Sequence, residues 1–212
     1  KYVARIEPED GGMFPTQTPD CEISVALQQR VMNTVKDNSD VPIPTLGKLI
    51  TEPYLGLPFF VMAHVDGRIP SDRPRYTEEG FVVDEATDAQ RTQMIQTGLE
   101  AMAGIHQIDW EEANLHWLNP CDGTPTQQKQ IEIYRSYVEK ELAGREHPVM
   151  DYALDWLDQN NPNDERIGLS WGDARLGNII WDDYTPAAVV DWEACSLCPT
   201  EADLGWWLMF DR

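Results

Sequence analysis

Between Ser170 and Glu193 the sequence reads SWGDARLGNIIWDDYTPAAVVDWE, and no other stretch limits the possible folds as tightly. Two short apolar runs, 178–182 and 187–191, read as the strands of a small β-hairpin. Three polar residues, Asp173, Asn178 and Asp191, then fall on loops at strand ends. Asp-x-x-x-x-Asn followed by an Asp at the next strand end suits Mg²⁺-assisted phosphoryl transfer. One carboxylate can orient a hydroxyl nucleophile, while an Asn amide oxygen and a second Asp hold the metal on the phosphates.

Each of these residues also has a plainer use. Asp173 could be a turn or capping residue after Gly172, and Asn178 a turn residue that opens a strand. Their spacing relative to one another is what favours chemistry. Asp191 follows the apolar run Ala187-Ala-Val-Val190, where a charge is costly unless a cation meets it. Glu193 would point to the same side, either assisting a second metal or facing solvent.

The rest of the chain splits by composition near a proline-bounded linker, Pro70-Ser-Asp-Arg-Pro74. Upstream, residues 1–7 alternate as a half-buried strand, and Cys21 to Lys36 carries a helical stripe with Asp20 as its N-cap. Leu46–Ile50 and Leu57–Val65 read as paired strands. Downstream, apolar residues recur at helical spacing over Asp84–Ile108, Pro125–Leu142 and His147–Asn160, and Glu201–Phe210 begins another helix. A further short strand is expected at 166–170. These stripes are core faces, and His106 reads as a core or interface histidine.

Charge excludes some partners. With a net charge of −21, neither a nucleic-acid backbone nor an anionic membrane is an expected partner. No apolar run approaches the roughly 20 residues that cross a bilayer. Four scattered cysteines point to a reducing cytoplasm, and the lone Cys195-Ser-Leu-Cys198 lacks the further ligands a zinc site needs.

The order of elements and the motifs Trp171-Gly-Asp-Ala-Arg-Leu-Gly-Asn178, Val190-Asp-Trp-Glu193 and Ala202-Asp-Leu-Gly205 carry a resemblance. With Val41-Pro-Ile-Pro44 and Gly56-Leu-Pro-Phe-Phe-Val-Met62 upstream, the chain resembles the aminoglycoside phosphotransferase and choline kinase superfamily. It looks nearest to the branch fused or related to acyl-CoA dehydrogenases. The resemblance implies an α+β, two-lobed protein-kinase-like fold, truncated at both ends. Residues 1–66 would form the N-terminal lobe, 67–74 the hinge or linker, and 75–212 the helical C-terminal lobe.

It also implies roles. Asp173 would be the catalytic base, with Asn178, Asp191 and Glu193 toward Mg²⁺. Arg5 stands where such folds place a phosphate-pairing lysine, with Glu22 as its ion-pair partner and Glu7 and Glu9 as competitors. ATP or GTP would lie against Val61, Met62 and His64. Arg175 would reach the transferring phosphoryl group or an anionic substrate, or else tie the loop to Asp191 or a backbone carbonyl. Asp203 would hold the catalytic-loop backbone. Two departures stand out: Trp171 replaces the family's histidine, and no glycine-rich phosphate-covering hairpin is present, since Gly11-Gly12 follows the first strand and lies among acids.

The reading is therefore a nucleotide- and Mg²⁺-dependent phosphotransferase acting on a small-molecule hydroxyl, such as a hydroxyacyl-CoA-like metabolite. The alternatives are a nucleotide- or acyl-CoA-binding module without turnover, and an aminoglycoside phosphotransferase. Oligomeric state is left open.

Overall fold

The structure, a computed structural model, describes residues 1–9, 15, 24–51, 54–162 and 166–210. Its N-terminal part is a two-stranded antiparallel sheet, β1 (Tyr2–Ile6) on β2 (Phe59–Ala63), backed by α1 (Ser24–Asn38). Arg5 lies opposite Phe60 in that pairing. The α1 stripe Val25, Val31, Met32 and Val35 is buried, packing with Phe60 into the core. Glu7 accepts hydrogen bonds from the backbone N–H groups of Ser24 and Val25, at 2.9 and 2.8 Å. A carboxylate there satisfies N–H groups at a helix start and faces the positive end of the helix dipole.

After the linker come α2 (Phe81–Asp84), α3 (Asp88–His106), α4 (Gln127–Leu142) and α5 (Pro148–Gln159). Then follow β3 (Ile167–Ser170), β4 (Ile179–Asp182), β5 (Thr185–Val189), β6 (Ser196–Pro199) and α6 (Glu201–Phe210). The helix expected over Asp84–Ile108 runs instead from Asp88 to His106. Thr87 makes a capping box with Gln90, which starts a new helix at Asp88 and leaves α2 as a single turn. The long β4–β5 run is a hairpin whose turn residues Asp183 and Tyr184 both take positive φ, 43° and 61°. That is the twist-compatible two-residue hairpin turn.

Other expectations need correction. Leu46–Ile50 is not a strand. It touches β2 only through isolated bridges, Leu46 to Met62 and Ile50 to Phe59. The last hairpin strand ends at Val189 rather than 191. Helix α1 continues to Asn38, and its expected start at Asp20 and Cys21 lies outside the described residues, as do Glu22 and Gly11-Gly12. Strand β6 was not expected at all. It pairs antiparallel with β3, from Ile167 opposite Pro199 to Ser170 opposite Ser196. It contains Cys198, whose thiol burial pushes up to about 11, so that it stays protonated at neutral pH.

The core beneath the hairpin is built on three fully buried tryptophans, Trp171, Trp181 and Trp192. Each spends its indole N–H on a nearby carbonyl: Trp171 on Val190 at 3.0 Å, Trp181 on Leu176 at 3.1 Å, and Trp192 on Val189 at 3.2 Å. The rings supply apolar volume and their N–H groups pin loop backbone. Gly98 of α3 makes room for this layer, since a Cβ there would lie 2.6 Å from the Trp207 ring. Among the described residues no helix is long and apolar enough to cross a membrane.

Candidate active site

The loop after β3 is held from below by one carboxylate. Asp203, in the first turn of α6 and 1% exposed, accepts four hydrogen bonds. They come from Ser170 Oγ, the Trp171 N–H, the Gly172 N–H and His106 Nε2, each at 2.8 Å. A buried carboxylate survives only with such compensation. Gly172 then turns with φ of 93°, and a Cβ at that position would meet the Ala194 carbonyl oxygen at 2.1 Å. Gly172→Ala is accordingly expected to cost about 2–3 kcal/mol of stability, from the positive φ and the displaced backbone. Urea denaturation followed by circular dichroism checks it, and a loss near zero would refute the steric reading.

Gly172 delivers Asp173, 8% exposed, into a ring of donors. Its Oδ2 accepts from Asn178 Nδ2 at 2.6 Å and from Arg175 Nε at 3.0 Å, and its Oδ1 accepts from Trp206 Nε1 at 2.6 Å. Asn178 Nδ2 also donates to the Asp173 carbonyl at 2.9 Å, which uses both protons of the amide. Among the described residues Asn178 Oδ1 has no hydrogen-bond partner, and Asn178 lies on the wall of a cleft. Asp191 lies on the same wall and takes φ of 61°, a left-handed conformation uncommon outside glycine that Asp adopts more readily than most residues. The Val190 N–H donates to the Asn178 carbonyl at 3.0 Å, so the two loops are stitched together at the cleft.

That cleft has a volume of about 500 Å³. Arg5, Gln28 and Met62 line it from the N-terminal sheet and helix, and Asn178, Val190 and Asp191 line it from the loops, with His64 to Gly67 at the crossing. Arg5 bridges the two sides. Its guanidinium bonds Glu193 at 2.6 Å and Asp191 at 3.3 Å, and its Nε donates to Gln28 at 3.0 Å. Burial pushes the Asp191 carboxyl above the usual carboxylate range; Arg5 opposes the rise and Asp173 adds to it. Burial and then Asp191 do the same to Glu193, again against Arg5. Two carboxylates set against one guanidinium give this corner of the cleft an acidic balance that can receive a cation.

The available donors suit Mg²⁺ only in part. Among the described residues no group of three or more His, Cys, Asp or Glu side chains forms a metal cage. The free Asn178 oxygen and the Asp191 carboxylate are hard oxygen donors of the kind Mg²⁺ takes when phosphates and water complete its octahedron.

The phosphotransferase enzyme family matches residues 13–212. The chain belongs to that family. It is 25% identical to a putative aminoglycoside phosphotransferase from Ralstonia eutropha, with a TM-score of 0.73 over 98% of this chain and 57% of that one. It is 18% identical to Streptomyces rimosus aminoglycoside phosphotransferase APH(3'')-Id, solved with ADP and streptomycin, with a TM-score of 0.56 over 100% of this chain and 72% of that one. Human acyl-CoA dehydrogenase family member 11 is 26% identical over 159 residues, covering 74% of this chain and 19% of the human protein. The chain thus spans about a fifth of that relative's length. The fold is the α+β, kinase-like one of these phosphotransferases.

Within this family member, the structure brings Asp173, Arg175 and Asn178 into one bonded cluster and Arg5, Asp191 and Glu193 into another. Met62 and His64 line the cleft, but Val61 does not: strand alternation turns it toward Gly47 on the other side of β2. Arg5 takes its partners from the loop after β5 and from Gln28; of the proposed competitors, Glu7 is spent on the start of α1. Of the two uses open to Arg175, reaching phosphate or an anionic substrate and tying the loop to Asp191 or a carbonyl, the structure shows a tie, but to Asp72 and Asp173; the guanidinium lies 5.5 Å over the Phe210 ring. Sequence reasoning missed Gln28, Asp72 and Trp206. Only Trp206 carried any signal, as an aromatic near the start of a helix whose aspartate was already singled out.

Proposed function

We propose that this chain transfers the γ-phosphoryl group of ATP or GTP to a hydroxyl of a small molecule. The observation that carries the reading is the pair of hydrogen bonds that Asn178 Nδ2 donates to the Asp173 carbonyl and carboxylate. It joins a hydroxyl-orienting carboxylate to an amide oxygen left free on the cleft wall. In the transfer, the acceptor oxygen forms a bond to the γ-phosphorus as the bond from that phosphorus to the bridging oxygen breaks. The hydroxyl proton passes to Asp173, and the nucleoside diphosphate leaves. Asn178 and Asp191, with Glu193 beside them, would hold Mg²⁺, which would supply charge neutralisation on the phosphates. Arg5, on the same wall, offers phosphate a planar two-pronged donor.

The ADP in the Streptomyces relative supports nucleotide use, and the nucleotide would occupy the 500 Å³ cleft. For the acceptor we favour a hydroxyl on an acyl-CoA-like metabolite, on the similarity to the acyl-CoA dehydrogenase family members. The net charge of −21 favours a second reading, a cationic aminoglycoside such as the streptomycin of the Streptomyces complex. A third reading, nucleotide or acyl-CoA binding without turnover, is motivated by Trp171 and by Arg5 in place of a lysine; the fully buried Trp171, which ties the loop to Val190, speaks against the first of these motives. A cytoplasmic setting fits both acceptors.

The test is to incubate full-length protein with γ-labelled ATP or GTP and Mg²⁺ against hydroxyacyl-CoAs, other hydroxyl-bearing metabolites and aminoglycosides. Label is expected on one class of acceptor, with slow release of phosphate to water in its absence, and chelation of Mg²⁺ should stop both. If the protein neither transfers nor hydrolyses either nucleotide, the proposal is wrong.

A further inference from the structure

The donors around Asp173 are unevenly shared between its two oxygens. Oδ2 accepts from Asn178 and from Arg175, so its two lone-pair directions are both used. Among the described residues Oδ1 accepts only from the indole N–H of Trp206, at 2.6 Å, which leaves it one open direction. The acceptor proton, in the reading above, can therefore go only to Oδ1, along the lone pair that Trp206 does not occupy.

Trp206 is itself held in place. It stands three residues after Asp203 on α6, and Asp203 is the buried carboxylate that grips Ser170, Trp171 and Gly172. Its ring packs on Phe210 with centroids 5.3 Å apart, and the Phe210 carbonyl accepts from the Tyr76 hydroxyl at 3.4 Å. The same helix thus fixes both the backbone that delivers Asp173 and the direction in which its carboxylate opens. Trp206 also borders a cavity of about 340 Å³ between α4, α5 and β6, lined by Tyr134, Leu154 and Leu157.

We propose that Trp206 is a positioning residue for phosphoryl transfer: its indole N–H fixes the Asp173 carboxylate so that one lone pair of Oδ1 faces the acceptor hydroxyl. This rests on the assignment of Asp173 as the base. Tryptophan suits the task because its N–H donates and cannot accept, so it can never compete for the proton. A rigid indole also costs little side-chain entropy to hold at a fixed angle.

The test uses Trp206→Phe, which keeps an aromatic ring on Phe210 and removes only the donor. Loss of a hydrogen bond to a charged group should lower kcat for Mg·ATP hydrolysis roughly 10- to 100-fold. The KM for ATP should stay within about twofold, because Trp206 is not on the cleft wall, and the melting temperature should change little. A double-mutant comparison separates positioning from general damage. If Trp206 acts through Asp173, the variant carrying both Trp206→Phe and Asp173→Ala is no slower than Asp173→Ala alone. The contact can also be read without turnover. The indole N–H resonance of Trp206, identified by its absence in Trp206→Phe, should shift in Asp173→Ala protein free of nucleotide.

Independent, multiplicative losses in the double variant, or an indole resonance unmoved by Asp173→Ala, overturn the positioning role. Hydrolysis that depends on Asp173 but not on Trp206 overturns it while leaving the phosphotransferase reading intact. No hydrolysis or transfer by the wild-type protein overturns both.

Discussion

Asp173→Asn is expected to lower phosphoryl transfer by about 10²- to 10⁴-fold, the usual scale for loss of a general base. The amide cannot take the acceptor proton. It also fits its surroundings badly, because Trp206, Asn178 and Arg175 all donate toward this side chain and an amide accepts at only one end. Its oxygen would keep Asn178 and Arg175, and its NH₂ would face the Trp206 N–H. We expect a stability loss of about 1–3 kcal/mol from that unpaired contact. Nucleotide affinity should hardly change, because Asp173 does not line the cleft. Titration calorimetry with ADP and a transfer assay on the same preparation separate the two effects. Retention of more than a tenth of wild-type transfer would remove Asp173 from the mechanism.

The largest stability effect is expected at Asp203. Asp203→Ala strands the Ser170 hydroxyl, two backbone N–H groups and His106 in a largely buried setting. Each stranded donor costs about 1–3 kcal/mol, and partial relaxation of the loop brings the total to about 4 kcal/mol. Asp203→Asn retains one accepting oxygen and should cost about half as much. Chemical denaturation of the three proteins gives the order directly; a loss below about 1 kcal/mol in Asp203→Ala would mean that the loop does not depend on this carboxylate. The two predictions differ in kind. Asp173→Asn should leave a largely folded protein that cannot transfer, whereas Asp203→Ala should lose transfer through the fold.

Much of this site was legible because its key contacts are short in sequence. The bonds from Asn178 to Asp173 span five residues, so the spacing of one loop already encodes them. Helix α3 was nearly legible for the same reason, its stripe of Met94, Met102 and Ile105 being local, although the capping box at Thr87 was overlooked and the start misplaced. Strand β6 was illegible. All four of its residues are buried, so it lacks the alternation that marks a half-exposed strand, and its short run sits beside cysteines that invite other readings.

By itself the sequence determined the loop that joins Asp173 to Asn178, the hairpin that precedes Asp191, and the stripes that become helices, all of which depend on neighbours within a few turns of chain. Only the tertiary structure decided what neutralises and aims those groups. Arg5 meets Asp191 and Glu193 across 186 and 188 residues, and Trp206 meets Asp173 across 33. Such pairings leave no periodic trace, because hydrogen-bond direction over that separation is set by how the elements pack and not by the spacing of residues along them.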